Sequence, residues 1–311
     1  MRTERIQVAD GVELVVDAWG DGVRDEDAGR DEDAGRDEDA ERDEDAERDE
    51  DAAAPFLLVH GLASNARTWD GVAAGLVANG HRAFTVDLRG HGRASKPDGP
   101  YDVPTVAHDL ATLIERLGLE RPIAAGQSWG GNVVLELAAR HPDSVRGIVC
   151  VDGGWLEPSR EFADWDACLA ALAPPRLAGR RLEEIEGYIR SAHRDWPESG
   201  IRGTLANFEV RPDGTVAPWL TFEHHLTVLR GLWEHHPSRR YPEVAVPVLL
   251  APADGGDPDR TGRKRRAVEA ATQAIPDARV RWFVGEHDIH AQHPDELSGA
   301  MHDFATGGSP G

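Results

Sequence analysis

Residues 126–130 carry the pattern Gly-x-Ser-x-Gly, with Ser128 at its centre. A predicted strand precedes this pattern and an amphipathic, helix-like segment follows it, which is the strand-turn-helix context of a nucleophilic serine. Because so sharp a turn strains the serine backbone, small residues must flank it, and Gly126 and Gly130 meet that need. The helix N-terminus would also favour negative charge that develops beside Ser128. We therefore predict Ser128 as a nucleophile.

A serine hydroxyl is a weak nucleophile, so it needs a histidine base and a carboxylate that orients the base. His287 follows the apolar run 280–284, which we predict to be a strand. A loop position just beyond a strand end would let His287 reach Ser128, and we predict it as the base. His290 is the competing base, for which we favour a packing or surface role.

Several aspartates could orient this histidine. Asp254 and Asp257 follow the predicted strand 246–250, and Asp152 lies at the end of the strand before it. We predict Asp254 as the acid because it comes first beyond its strand. Asp257, which precedes a proline, is the first alternative. Asp152 is the second, since a carboxylate at that strand end could also approach a histidine.

An acyl-transfer reaction also needs two backbone N–H donors for the oxyanion that forms on attack. One is expected from Trp129, the residue after the nucleophile. We predict the other from Leu62, which follows the predicted strand 56–59. Gly61 would let the chain turn sharply there, so that the Leu62 N–H faces the serine.

The elements that must position these residues alternate along most of the chain. An Asp-Gly pair between two strand-like segments, 4–8 and 13–19, predicts an initial β-hairpin. Continuous apolar runs then match parallel strands that are covered on both faces. These runs lie at 56–59, 83–86, 123–125, 147–151, 246–250 and 280–284. With helical patterns at 68–79 and 103–117 between them, the order predicts an α/β fold with a mostly parallel, doubly wound sheet.

Residues 155–242 interrupt this alternation. They contain five of the nine tryptophans and show helical patterns around 181–194 and 221–235. We predict that they form a helical cap over the strand ends. Trp155 and Trp219 are its predicted substrate contacts, which favours an apolar, enclosed acyl or alcohol group.

The net charge of −22 is unevenly distributed. Residues 24–53 are five hexapeptides that each begin Arg-Asp-Glu-Asp-Ala, and their own net charge is −12. A segment with no apolar side chain larger than alanine cannot offset its ordering entropy, so we predict a disordered linker there and a flexible tail at 306–311. The acidic balance disfavours nucleic acid and anionic lipid as partners.

Other sequence features indicate the cellular location of the protein and its need for cofactors. The N-terminus enters a strand pattern without the apolar stretch of a secretory signal or membrane span, so we expect a cytoplasmic location. Cys150 and Cys168 are the only cysteines, and we expect both to be reduced packing residues. The histidine pairs at 224–225 and 235–236 are poor joint metal ligands because neighbours on a helix point in different directions. We predict no metal and no organic cofactor.

Four motifs, in their order and spacing, resemble the α/β-hydrolase superfamily. They are His-Gly-Leu at 60–62, Asp-Leu-Arg-Gly-His-Gly-Arg at 87–93, the serine motif at 126–131 and Gly-Glu-His at 285–287. The resemblance covers residues 1–23 and 54–305.

The resemblance implies an eight-stranded α/β-hydrolase fold with a cap between strands six and seven. The core would comprise residues 1–23, 54–154 and 243–305, and the cap residues 155–242. It also implies the chain order nucleophile, acid, histidine, which Ser128, Asp254 and His287 satisfy. The family's acid usually stands in a Gly-x-x-Asp context, from which the segment 253–257 departs.

These observations predict a serine hydrolase that cleaves a carboxylic ester or a related acyl bond of a small, partly apolar molecule. A lactone, a thioester, a carbon–carbon bond beside a ketone, and cofactor-free haloperoxidase chemistry are alternatives on the same residues. Dehalogenases and epoxide hydrolases with an Asp-Trp-Gly elbow are disfavoured, because a serine cannot form their alkyl-ester intermediate. The alternative of another class is a ligand-binding receptor that keeps the fold without turnover.

Overall fold

A computed structural model describes residues 1–20 and 53–308 of the chain. The predicted linker 24–53 lies outside the described residues except for residue 53, and residues 309–311 of the predicted tail also lie outside. Within the described residues, no helix is long and apolar enough to cross a membrane.

An eight-stranded sheet forms the centre of the molecule and confirms the predicted fold class. The strands are β1 (Arg2–Ala9), β2 (Val12–Trp19), β3 (Phe56–Val59), β4 (Ala83–Asp87), β5 (Ile123–Gln127), β6 (Gly147–Val151), β9 (Val248–Ala251) and β11 (Ala278–Val280). Their order in the sheet is β1-β2-β4-β3-β5-β6-β9-β11. The pairs β1-β2 and β2-β4 are antiparallel and all the other neighbours are parallel.

Helices cover both faces of this sheet. Those outside the insertion are α1 (Asp70–Ala78), α2 (Val103–Arg116), α3 (Trp129–Arg140), α9 (Pro258–Ala274), α10 (Ile289–Gln292) and α11 (Pro294–Ala305). Strands β3 to β6 are buried at every position, and two apolar clusters pack against their opposite faces. This explains why the sequence shows continuous apolar runs there instead of alternation.

The prediction of one continuous strand at 280–284 is wrong. The structure has β11 ending at Val280 and a separate strand β12 (Phe283–Val284), which pairs with β10 (Ala253–Asp254). The register is the same on both sides of the break. Pro252 lies on the partner strand at the break, and because proline lacks an N–H it cannot donate to the ladder.

Residues between β6 and β9 form the insertion. Its helices are α4 (Pro158–Glu161), α5 (Trp165–Leu172), α6 (Leu182–Ala192), α7 (Glu198–Leu205) and α8 (Phe222–Glu234). The insertion, which was predicted as a helical cap, also contains two strands, β7 (Phe208–Val210) and β8 (Val216–Pro218), which form an antiparallel hairpin. The Pro-Asp-Gly segment 212–214 makes its turn, which explains the hairpin.

Both ends of the insertion are fastened to α3. The Asn132 side-chain amide donates to the Leu156 carbonyl at 2.7 Å near the start of the insertion. Near its end, His235 Nε2 lies 3.1 Å from a carboxylate oxygen of the buried Glu136. These contacts join both ends of the insertion to the helix that begins beside Ser128.

Candidate active site

Ser128 lies between β5 and α3 on a strained turn. Its φ of 54° is in the left-handed region, which residues other than glycine rarely adopt. The Ser128 N–H donates to the Val151 carbonyl at 2.8 Å, so the turn remains joined to the neighbouring strand. Trp129 is the first residue of α3, and its N–H therefore has no acceptor within the helix. The strand-turn-helix context predicted from the sequence is present.

Close backbone contacts explain why glycines surround this turn. A Cβ at Gly130 would lie 2.5 Å from the His60 carbonyl oxygen, and one at Gly153 would lie 2.1 Å from the Ser128 carbonyl oxygen. Both distances are far shorter than a carbon–oxygen contact allows. The glycines thus bring the loops after β3, β5 and β6 together around Ser128.

His287 is paired with Asp152, the second alternative of the sequence analysis. His287 Nδ1 lies 2.6 Å from Asp152 Oδ2. A carboxylate only accepts, so Nδ1 carries the proton and donates, which leaves Nε2 as the free base. The Asp152 side chain is 3% exposed, whereas that of His287 is 49% exposed. A shielded carboxylate therefore orients a half-exposed imidazole.

The pKa values of this pair follow from their contacts. Burial raises the pKa of Asp152, but the hydrogen bonds and charges of His287 and Lys264 outweigh burial and hold this pKa below its ordinary value. Partial burial lowers the pKa of His287, but the hydrogen bond to Asp152 and the charge of Asp288 raise it above its usual value. Asp152 is therefore ionised at neutral pH, and His287 is a stronger base than a free histidine.

The other two predicted acids do not contact His287, and the expectation for Asp254 needs correction. The Asp254 carboxylate accepts from the Gly256 N–H at 3.1 Å and from the Thr261 hydroxyl at 2.8 Å. Asp257 caps α9, with Oδ1 accepting from two N–H groups of the first turn at 3.0 Å. Both carboxylates are thus directed toward the N-terminus of α9 and away from the histidine.

Gln127, whose role was not predicted from the sequence, joins the loop that carries His287 to the turn at Ser128. Its side-chain amide donates to the His287 carbonyl at 3.3 Å and to Asp288 Oδ1 at 3.1 Å. Gln127 is the last residue of β5 and directly precedes Ser128. Its position inside the Gly-x-Ser-x-Gly pattern was the only sequence signal for this role.

The loop that carries Leu62 is held by His60. The Leu88 N–H donates to His60 Nε2 at 3.1 Å, so Nδ1 carries the ring proton and donates to the Gly61 carbonyl at 2.7 Å. Burial lowers the pKa of His60, which favours this neutral form. The motif at 87–93 thus supports the predicted oxyanion loop.

His290, the competing base, has no carboxylate partner in the described part of the chain. It is fully buried and lies against the Trp69 indole, with ring centroids 4.7 Å apart. Among the described residues neither of its ring nitrogens forms a hydrogen bond. Burial lowers the pKa of His290 to about 4. These surroundings favour a packing role for His290, and His287 stays the predicted base.

Two cavities adjoin at the serine. The first, of about 170 Å³, is lined by Ser128, His287 and Leu62 among others. The second, of about 610 Å³, lies between the insertion and the loop after β3, is mainly apolar, and shares Ala63, Ser64 and Asn207 with the first. We call it the cap cavity. Its lining includes Leu177, Phe208, Trp219, Leu220 and Phe222.

The two predicted substrate contacts differ in position. Trp219 lines the cap cavity, and Lys96 Nζ lies 5.0 Å from the centre of its ring. Trp155 lines neither of the two cavities and is buried in the larger apolar cluster of the core. Its sequence position at the start of the insertion did not reveal that it packs inward.

The fold and this site define a class of protein, and comparisons with known proteins agree. A sequence profile of the alpha/beta hydrolase fold matches residues 54–180. A non-heme chloroperoxidase of Streptomyces lividans is 36% identical in an alignment of 266 residues that covers 78% of this chain and 88% of that protein. The chain therefore belongs to the α/β-hydrolase superfamily.

Two further comparisons concern one activity. The 2-(acetamidomethylene)succinate hydrolase of Mesorhizobium japonicum is 28% identical over 194 residues, 62% of this chain and 68% of that protein. A crystal structure of E-2-(acetamidomethylene)succinate hydrolase superposes with a TM-score of 0.72 at 21% identity, covering 98% of this chain and 99% of the other. Enzymes named as hydrolases are thus among the relatives, which supports an enzymatic role for this chain.

Proposed function

We propose that the chain is a serine hydrolase that cleaves a carboxylic ester or a related acyl bond through an acyl-enzyme on Ser128. One observation carries the proposal: a buried, ionised Asp152 pairs with His287, which lines the same cavity as Ser128. A serine, a histidine and a carboxylate in these roles are the components of acyl transfer.

Each step uses a group of this chain. His287 Nε2 accepts the proton of the Ser128 hydroxyl as the oxygen attacks the carbonyl carbon, and Asp152 stabilises the imidazolium that results. The N–H groups of Leu62 and Trp129 stabilise the oxyanion. His287 then donates its proton to the leaving group. Water, activated by the same histidine, releases the acyl group.

The cap cavity supports a substrate with an apolar portion. It is several times larger than the cavity at Ser128, and aromatic and aliphatic side chains dominate its lining. Burial of apolar surface on binding would contribute about 25 cal/mol per Å². We propose that this cavity receives the acyl or alcohol chain of a small molecule, with Trp219 as one contact.

A second candidate, haloperoxidase chemistry at the same serine, is favoured by the 36% identity to the chloroperoxidase of S. lividans. The receptor alternative loses support, because a carboxylate already holds the histidine in a usable orientation. A carbon–carbon or thioester substrate would use the same residues and is distinguished by assay.

The test is a panel of p-nitrophenyl esters from acetate to decanoate. We expect turnover by the wild type, with kcat/KM rising from acetate toward medium chains that fill the cap cavity. Ser128→Ala should reduce kcat by at least about 10³-fold. Ser191→Ala, on the exposed face of α6, is the matched control and should leave kcat unchanged. Absence of turnover for every ester, or full activity in Ser128→Ala, would contradict the proposal.

A further inference from the structure

Lys264, on α9, contacts the carboxylate that pairs with His287. Its Nζ lies 2.6 Å from Asp152 Oδ1 and 2.8 Å from Asp152 Oδ2, and it donates to the Ala253 carbonyl at 2.6 Å. The Lys264 side chain is 17% exposed. The three N–H groups of the ammonium therefore have three oxygen acceptors in a shielded place.

Lysine is rare in this chain, which makes its presence beside Asp152 notable. Only two of the 34 lysine and arginine residues of the chain are lysine, namely Lys96 and Lys264. A lysine ammonium is a compact point charge, whereas the guanidinium of arginine is a wide planar fork. A compact cation suits the space between Asp152 and the Ala253 carbonyl.

Asp152 is consequently shared between two cations during the proposed reaction. Its Oδ1 accepts from the Ala253 N–H at 2.9 Å and its Oδ2 from His287 at 2.6 Å, while Lys264 contacts both oxygens. When His287 is unprotonated, Lys264 is the cation among the described residues that neutralises the buried carboxylate. An unpaired carboxylate at this depth would be costly.

We propose that Lys264 is a positioning residue that fixes the Asp152 carboxylate and limits how strongly its negative charge acts on His287. The inference rests on the proposed triad. Lys264 touches neither Ser128 nor His287 by hydrogen bond, so it acts through Asp152.

The consequence is a shift in the pH range of activity. Four charged or titratable groups surround the imidazole: Asp152 from the loop after β6, Asp288 beside it, His290 from α10 and Lys264 from α9. The two aspartates raise the pKa of His287, whereas Lys264 lowers it. Lys264 therefore keeps His287 unprotonated at a lower pH than Asp152 alone would allow.

Two variants test this role. Lys264→Met removes the charge and the hydrogen bonds. Lys264→Gln removes the charge but keeps N–H donors for Asp152 and the Ala253 carbonyl, so it preserves the fold. In both, we expect the acid limb of kcat/KM for a p-nitrophenyl ester to move upward by about one pH unit. Activity well below the limb should then fall about tenfold relative to the wild type, and the plateau above it should be retained in Lys264→Gln.

Arg265→Met, the adjacent exposed position of α9, is the matched control and should leave the acid limb in place. An acid limb that stays at the wild-type pH in Lys264→Gln, with activity reduced equally at every pH, would show a merely structural lysine and would overturn the inference.

A second measurement separates this inference from the proposed function. Titration of ¹⁵N-histidine-labelled protein by NMR, with His287 assigned through His287→Ala, reports the His287 pKa without any turnover. If the wild type hydrolyses no ester, a raised His287 pKa in Lys264→Gln still supports the role of Lys264. If esters are hydrolysed but this pKa does not change, the inference about Lys264 fails and the proposed function stands.

Discussion

Asp152 and Asp254 lie just beyond neighbouring parallel strands, and each follows a buried apolar run. They differ in what engages their carboxylates. Asp152 is directed toward His287, whereas Asp254 is held by the Gly256 N–H and the Thr261 hydroxyl at the start of α9. The sequence could not distinguish them, because residue type and strand order do not determine where a carboxylate points.

The first prediction concerns these two aspartates. Asp152→Asn should reduce ester kcat by about 10³–10⁴-fold, because an amide can neither stabilise the imidazolium nor favour the correct imidazole tautomer. Asp254→Asn, a change of the same kind one strand away, should stay within a few-fold of the wild type. Steady-state kinetics with thermal melts for both variants would check this. A large loss in Asp254→Asn with normal turnover in Asp152→Asn would favour the acid first expected from the sequence.

At the scale of elements, loops after three adjacent strands converge on the serine. Gly130 and Gly153 allow this approach, because a side chain at either position would overlap a neighbouring carbonyl. Strands β3 to β6 could be predicted from the sequence, because a strand that is buried on both faces needs a continuous run of apolar residues. Prediction failed where a contact between strands decided the structure, as at Pro252, where the missing N–H interrupts the last strand pair.

A pair of glycine substitutions tests whether this close approach of the loops around Ser128 requires glycine. Gly153→Ala places a Cβ 2.1 Å from the Ser128 carbonyl oxygen, so the backbone must shift. We expect it to lower the free energy of unfolding by about 1–3 kcal/mol and to impair turnover. Gly187→Ala lies within α6, and the added Cβ has no atom of the described residues within 4 Å. This variant should raise the free energy of unfolding by about 0.5–1 kcal/mol. Urea unfolding would measure both. Equal stabilities for the two variants would contradict the close approach.

At the scale of the whole molecule, the acidic repeat interrupts a compact connection. Trp19 at the end of β2 and Phe56 at the start of β3 both pair with Ala83, on opposite sides of β4. The two ends of the interrupted connection are therefore two strand spacings apart, or about 10 Å. The disordered linker at 24–53 and the cytoplasmic location both stay predictions from the sequence.

This geometry predicts that residues 24–53 can be deleted without loss of the fold. The six residues that remain between Trp19 and Phe56 can span about 20 Å when extended, which exceeds the required distance. We expect the deletion variant to keep kcat/KM within about twofold and its melting temperature within a few degrees of the wild type, since loop length affects stability only weakly. A folded variant with a large loss of turnover would assign the repeat a role in the active site.

The central claim is that Ser128, activated by His287, is the nucleophile. Reaction with a fluorophosphonate followed by mass spectrometry of the peptides tests it most directly, because the adduct marks the attacking atom. We predict a single adduct on Ser128 in the wild type, no adduct in Ser128→Ala, and labelling slowed by at least about 10²-fold in His287→Ala. An adduct on another residue, or undiminished labelling of Ser128→Ala, would contradict the account.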